Sequence, residues 1–108
     1  GNKDWTKGFW TGILWLLYED TNEEKYLSAL ETLLRTFQER LDQNIDLNTH
    51  DIGFLYSLST LAGYKITGNE KALELSVRAA DCLMERYCEK AQIIQAWAIW
   101  KIQKKKEE

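Results

Sequence analysis

The chain contains no proline, so nothing in its 108 residues forces a kink or a rigid extended linker. Its six glycines are scattered rather than clustered, which excludes a phosphate-cradling loop. One histidine and two cysteines are too few for a zinc centre. Cys82 and Cys88 suit neither C-x-x-C redox chemistry nor, on one helix, a disulfide with each other. A serine triad is unsupported, because Ser57 and Ser59 lie on a helical stretch with no second histidine in reach. The longest apolar run, Ile13 to Leu17, is too short to cross a bilayer. No secretory pattern leads the chain, and two unpaired thiols favour a reducing setting, so a cytoplasmic location is expected. A net charge of −3 argues against a general polyanion binder. The one basic cluster, Lys101 to Lys106, belongs to a charged end that reads as solvated, so neither nucleic acid nor membrane is an expected partner.

What the chain does have is apolar residues, 44% of the total, enough for a packed core. Their periodicity predicts four helices. The first, about Thr6 to Glu19, is apolar nearly all round through Phe9, Trp10, Ile13, Leu14, Trp15, Leu16, Leu17 and Tyr18, so burial on most sides is expected. The second, about Glu23 to Asp42 with Asn22 as N-cap, carries one stripe of Tyr26, Leu27, Leu30, Leu33, Leu34, Phe37 and Leu41. The third, about Asp51 to Lys65, is again mostly apolar. The fourth, about Asn69 to Glu89, sets Leu73, Val77, Ala80, Leu83, Met84 and Tyr87 on one face. Trp10, Trp15, Phe9, Phe54 and Tyr18 read as core.

This alternation is also a sequence repeat. Trp5-Thr6-Lys7-Gly8-Phe9 aligns with His50-Asp51-Ile52-Gly53-Phe54 at an offset of 50 − 5 = 45, and Thr21-Asn22-Glu23 with Thr67-Gly68-Asn69 at 67 − 21 = 46. Each unit is a loop, an inner helix carrying Gly-Phe, a turn and an outer amphipathic helix. Two units are complete and a third begins near Gln95. A hairpin with one apolar face cannot bury it alone, so such units stack. The expected fold is therefore all-α: helical-hairpin repeats forming an arc of an (α/α) toroid over residues 1–97, followed by a divergent charged tail, 98–108.

Stacking places equivalent positions at one end of the arc, so Trp5, His50-Asp51 and Gln95 with Trp97 are expected to line one pocket. Asp51 has a plain structural reading as a helix N-cap, worth about 1 kcal/mol. Against it stand three features: His50 is the only histidine, it abuts a carboxylate, and its repeat-equivalents are Trp and Gln. Carboxylates and amides bind sugar hydroxyls, and indole faces stack on pyranose rings, so a carbohydrate site is indicated.

Trp5-Thr6-x-Gly8-Phe9-Trp10-x-Gly12-x-Leu14-Trp15-Leu16, His50-Asp51-Ile52-Gly53-Phe54, Ala79-Ala80-Asp81, Arg86-Tyr87 and Ile94-Gln95-Ala96-Trp97 resemble, in order and spacing, the unsaturated glucuronyl hydrolases of glycoside hydrolase family 88. The resemblance implies a six-hairpin (α/α) toroid acting without metal or cofactor on lyase-generated unsaturated uronate disaccharides. In that chemistry an aspartic acid protonates the C4=C5 vinyl ether, water adds at C5, and the resulting hemiketal collapses with loss of the glycosidic bond. Position by position, Asp51 matches the first of two essential aspartates and is the candidate catalytic residue. His50 matches an adjacent substrate-site histidine, and Trp5 and Trp97 match aromatics along the uronate pocket.

The chain departs from the family pattern where the second aspartate is expected. The sequence after Trp97 holds no aspartate, and Asp81 falls on an outer helix. This chain is therefore expected to be an inactive portion that needs self-association or the remainder of a toroid. Two other readings stay open: an unsaturated rhamnogalacturonyl hydrolase, and a non-catalytic helical interaction scaffold.

Overall fold

The computed structural model describes residues 6–96. Four helical rods are present. The first is α1, Thr6–Thr21, and the second α2, Glu24–Asp42. The third is a continuous rod in which α3, Ile52–Tyr56, passes through a π-helical stretch, Ser57–Leu61, into α4, Ala62–Thr67. The fourth is α5, Glu70–Met84, after which β1, Tyr87–Cys88, pairs antiparallel with β2, Ile93–Ile94. The described chain is thus mostly helical, two hairpins packed side by side, with a small strand pair that the all-α expectation lacked.

The repeat is visible in the turns as well as the helices. Asn22 and Gly68 both adopt left-handed backbone, with φ of 58° and 73°. Each donates its N–H four residues back, to Tyr18 and Tyr64, at 2.7 Å in both cases. Thr21 and Thr67 each accept from the N–H two residues on, at 3.3 and 3.2 Å. Asn22 therefore closes α1 rather than capping α2, whose N-cap is Glu23, extended and without a side-chain cap bond. In the second turn Asn69 does cap, accepting from Lys71 and Ala72 N–H groups.

The repeat offset rises from 45 to 46 between the loop and the turn, so the second inner rod holds one residue more than α1. A π turn is the way a helix absorbs one extra residue without breaking. The Ala62 N–H is shared there between the Ser57 and Ser59 carbonyls. The Ser59 and Thr60 hydroxyls bond back to the Leu55 and Tyr56 carbonyls, at 2.5 and 3.0 Å.

Where the inner rods cross, two glycines face a neighbouring rod. A Cβ on Gly8 would lie 2.6 Å from the Phe54 carbonyl oxygen and 2.9 Å from the Leu55 Cα. A Cβ on Gly63 would lie 2.7 Å from the Trp15 ring. Trp15 is buried, and its indole N–H donates to the Ser59 carbonyl at 2.9 Å. Around it Leu14, Leu30 and Leu34 form one core cluster, with Tyr18 half-buried beside them. A second cluster joins Phe37, Leu41, Ile52, Leu55, Tyr56, Leu75 and Ala79. The predicted stripe of α2 feeds both. Among the described residues no buried side-chain nitrogen or oxygen lacks a partner.

Three further sequence expectations fail. The fourth helix stops at Met84 instead of Glu89, because the Arg86 carbonyl accepts from the Gln95 N–H at 2.9 Å and the chain turns into the strand pair. Its buried face is Ala72, Leu75 and Ala79, while Val77, Met84 and Tyr87 are exposed. The small face is the one that lets α5 approach the rod, where Ser76 and Thr60 hydroxyls meet at 2.8 Å. Finally, α1 buries only Gly8, Thr11, Leu14 and Trp15. Phe9, Trp10 and Phe54, expected in the core, are 44%, 56% and 48% exposed, as the two described hairpins cover only one side of each inner rod. Cys82 and Cys88 are both free, as expected, although Cys88 lies on a strand.

The crossing predicts opposite effects at two aligned glycines. Gly8→Ala should lower unfolding free energy by about 1–3 kcal/mol through overpacking. Gly53→Ala, whose Cβ would meet only Leu83 at an ordinary 3.7 Å, should be neutral or stabilise by up to about 1 kcal/mol. Urea titrations of both variants check this, and the reverse order would refute the close crossing.

A further expectation concerns Tyr56, which donates to the Phe37 carbonyl at 2.8 Å. Burial pushes its phenol well above the usual range. The folded state thus holds the proton more tightly, and this contribution is full below the unfolded value of about 10 and lost as pH rises above it. Tyr56→Phe should cost about 0.5–1.5 kcal/mol near neutrality by removing one buried hydrogen bond, and should flatten the alkaline loss of stability in urea titrations run across pH.

Candidate functional site

The loop from Gln43 to His50 leads into α3, and a buried arginine shapes it. Arg40, in the last turn of α2, is 1% exposed and donates from Nε to the Ile45 carbonyl at 3.0 Å and from Nη2 to the Asp46 carbonyl at 2.7 Å. Asn44 and Asp46 take left-handed backbone, which bends the loop around that guanidinium. A buried guanidinium is tolerated only when its donors find acceptors, and here backbone carbonyls supply them.

At the end of this loop stand His50 and Asp51. The Asp51 N–H donates to the Thr49 hydroxyl at 3.2 Å. Asp51 occupies the N-cap position of α3, but its carboxylate makes no cap hydrogen bond, so the plain capping role does not account for it. Instead Oδ1 lies 3.4 Å from His50 Nε2, with the two side chains 22% and 30% exposed. The other ring nitrogen, His50 Nδ1, lies 3.0 Å from the Ala96 carbonyl oxygen. A carbonyl can only accept, so Nδ1 carries the hydrogen.

Of the positions expected to line one pocket, His50 touches the 95–96 segment at the Ala96 carbonyl, while Asp51 lines a cleft that includes neither His50 nor Gln95. Trp5 and Trp97 lie outside the described residues. Gln95 contributes its backbone: its carbonyl accepts from Arg86 Nε at 2.6 Å. Asp51 opens onto a polar cleft of about 290 Å³ shared with Arg40, Asp46, Asn48 and Thr49. That is below the usual size of a pocket enclosing a small ligand, so on its own it presents one side of a site.

Sequence reasoning missed Arg40 and Arg86. Arg86 is 4% exposed and reaches three acceptors, the Gln95 carbonyl, the Asn48 Oδ1 and the Ala96 carbonyl, the last from Nη2 at 3.0 Å. The signal was present: Glu39-Arg40-Leu41 and Glu85-Arg86-Tyr87 recur at 86 − 40 = 46, the offset of the preceding turns. A charged residue beside an apolar stripe reads as the edge of the solvated face, and only its partners reveal burial. Among the described residues no three His, Cys, Asp or Glu side chains converge as a metal site, and no helix is long and apolar enough to cross a membrane.

Comparison with known proteins gives a consistent picture. The model for Glycosyl Hydrolase Family 88 matches residues 1–105. An unsaturated chondroitin disaccharide hydrolase of Streptococcus agalactiae is 49% identical over 96 residues, covering 89% of this chain and 24% of that protein. The crystal structure of an unsaturated glucuronyl hydrolase from Bacillus sp. GL1, described as responsible for the degradation of glycosaminoglycan, superposes with a TM-score of 0.86. Its identity is 50%, over 90% of this chain and 26% of that one. An aspartate-to-asparagine mutant of the unsaturated glucuronyl hydrolase from Streptococcus agalactiae, solved in complex with dGlcA-GalNAc6S, gives 0.74 at 48% identity, over 78% of this chain and 22% of that one. The chain spans about a quarter of the length of the curated relatives it matches.

Proposed function

The chain belongs to glycosyl hydrolase family 88, and from that membership we propose that its His50–Asp51 end forms one side of a site for unsaturated uronate disaccharides. The observation that carries this reading is the Asp51 carboxylate, which makes no cap hydrogen bond, lies 3.4 Å from His50 Nε2 and opens onto a cleft. The Streptococcus agalactiae relative held with dGlcA-GalNAc6S supports the same class of ligand.

In the proposed mechanism Asp51 holds the uronate ring and raises the proton affinity of a second carboxylate by like-charge proximity. That second group delivers a proton to C4 of the C4=C5 vinyl ether and removes one from the water that adds at C5. The hemiketal then opens, the glycosidic bond breaks, and the ring oxygen chemistry needs no redox partner. His50 presents its Nε2 edge beside Asp51, where sugar hydroxyls can donate to both. Trp5 and Trp97 are proposed as the aromatic walls of the pocket, stacking on the pyranose.

No aspartate of this chain occupies the second position, so the 108 residues as they stand hold half of the carboxylate pair. The purified chain is expected to leave the absorbance of the C4=C5 bond unchanged when mixed with unsaturated chondroitin or hyaluronan disaccharides. A clear loss of that absorbance would overturn the assignment. In a family member carrying this segment whole, Asp51→Asn should reduce kcat/KM by about 100-fold or more, and an unchanged value would remove Asp51 from the site.

A second reading, interaction through an apolar face, is favoured by α1, where Phe9, Trp10, Ile13, Leu16 and Leu17 are all exposed. Apolar rows of this extent mark surfaces that associate. We take their partner to be a further inner helix of the toroid, or a second copy when that is missing. The chain alone should then migrate above its monomer mass of 12.7 kDa in light scattering; a monodisperse monomer would count against this reading.

A further inference from the structure

We propose that Arg86 is a positioning residue of the candidate site: its guanidinium fixes the Ala96 carbonyl, which holds His50 in the Nδ1–H form and leaves Nε2 as the nitrogen offered beside Asp51. The inference deepens the proposed sugar site and rests on that reading for its functional weight, although the geometry stands by itself.

Three segments that are distant in sequence meet on this one side chain. Arg86 follows α5, Asn48 lies in the loop before α3, and Gln95 and Ala96 follow β2. The Nε and Nη2 bonds grip two successive carbonyls, those of Gln95 and Ala96. Nη1 takes the Asn48 side chain, two residues before His50. The Ala96 oxygen thereby has both lone pairs occupied, one by Arg86 and one by the imidazole, at 3.0 Å each. The arginine and the imidazole therefore hold the same oxygen from two sides.

This matters for His50 because a neutral imidazole has one donor and one acceptor nitrogen. In water the Nε2–H form is the favoured tautomer, and that form would aim a hydrogen at Asp51 while leaving Nδ1 lone pair against the Ala96 carbonyl. The carbonyl forbids it. With Nδ1–H fixed, Nε2 and Asp51 Oδ1 are two acceptors 3.4 Å apart, an arrangement that receives a hydroxyl hydrogen or a proton from what binds there. Orientation of a histidine through its remote nitrogen is a general device, and here the remote partner is itself held.

The repeat supplies a precedent. Arg40, 46 residues earlier, grips the Ile45 and Asp46 carbonyls in the same manner. Both α2 and α5 thus end near a buried arginine that grips two successive carbonyls of the segment that follows. A lysine at either place keeps the charge but cannot bridge two carbonyls and a side chain from one planar group.

The chain has a single histidine, so its imidazole nitrogens can be read by ¹⁵N NMR without assignment. In the full 108-residue chain, at a pH where imidazoles are neutral, the Nδ1–H form is expected to dominate. Arg86→Lys and Arg86→Gln, checked by circular dichroism to be folded, should move the majority to Nε2–H. A wild-type spectrum dominated by Nε2–H overturns the inference whatever the variants do. So does a folded Arg86 variant with an unmoved tautomer ratio, which would leave Arg86 a purely structural tie. The sugar-site reading fails differently, through unchanged turnover on Asp51→Asn in a whole family member, and that result would leave the tautomer measurement untouched.

Discussion

The structure depends on how closely its two inner rods cross. Gly8 lies against the backbone at Leu55, and Gly63 lies against the Trp15 ring, each so close that a methyl group would not fit. Trp15 fills the space thus opened and ties its indole N–H to the Ser59 carbonyl. Close-packed interiors do not compress, so removing this fit would separate the rods rather than deform them gently. The π stretch belongs to the same constraint. One additional residue in a helix turns everything beyond it by about 100°, and in the second rod that turn determines which face Gly63 presents. An α-helical course through Ser57–Leu61 would point another side chain at Trp15.

From that crossing the loop ends of both hairpins are brought to one side of the molecule, and two buried arginines determine what happens there. Both arginines donate to backbone carbonyls, and Arg86 also to an amide oxygen. This choice has an electrostatic consequence. Carbonyl dipoles take up guanidinium hydrogen bonds at both places, while the Asp51 carboxylate lies beside the imidazole and lines the cleft. The positive charge of Arg40 lines that same cleft, which suits a ligand carrying a carboxylate of its own.

Much of this was legible in the residues. The four helices, the repeat, and the meeting of His50 with the 95–96 segment all followed from periodicity and a fixed offset. The change of offset from 45 to 46 was equally visible, yet its meaning as a π turn required the backbone. The α5 face was misread because hydrophobicity ranks Val77 and Met84 above Ala72 and Ala79, while the buried face places two alanines and Leu75 where Ser76 meets Thr60. The strand pair was missed for a related reason. Two-residue strands carry no periodic signal, and the pairing of Tyr87 with Ile94 is held in place by the Arg86 and Gln95 backbones. For the site, side-chain type identified His50 and Asp51, but the burial of Arg40 and Arg86 depends on acceptors that no composition or spacing announces.

The extent of the described structure also bears on what the site can do. Asp51 is a fifth exposed and remains in contact with water, and α1 and α3 each have one open apolar flank, at Trp10 and Phe54. Fixed dipoles stabilise developing charge strongly only where water is excluded. The helices described here fix the direction of one carboxylate and one imidazole, but they do not enclose them. On the proposed reading, whatever packs against the exposed flank of the α3–α4 rod would also enclose the Asp51 side of the site.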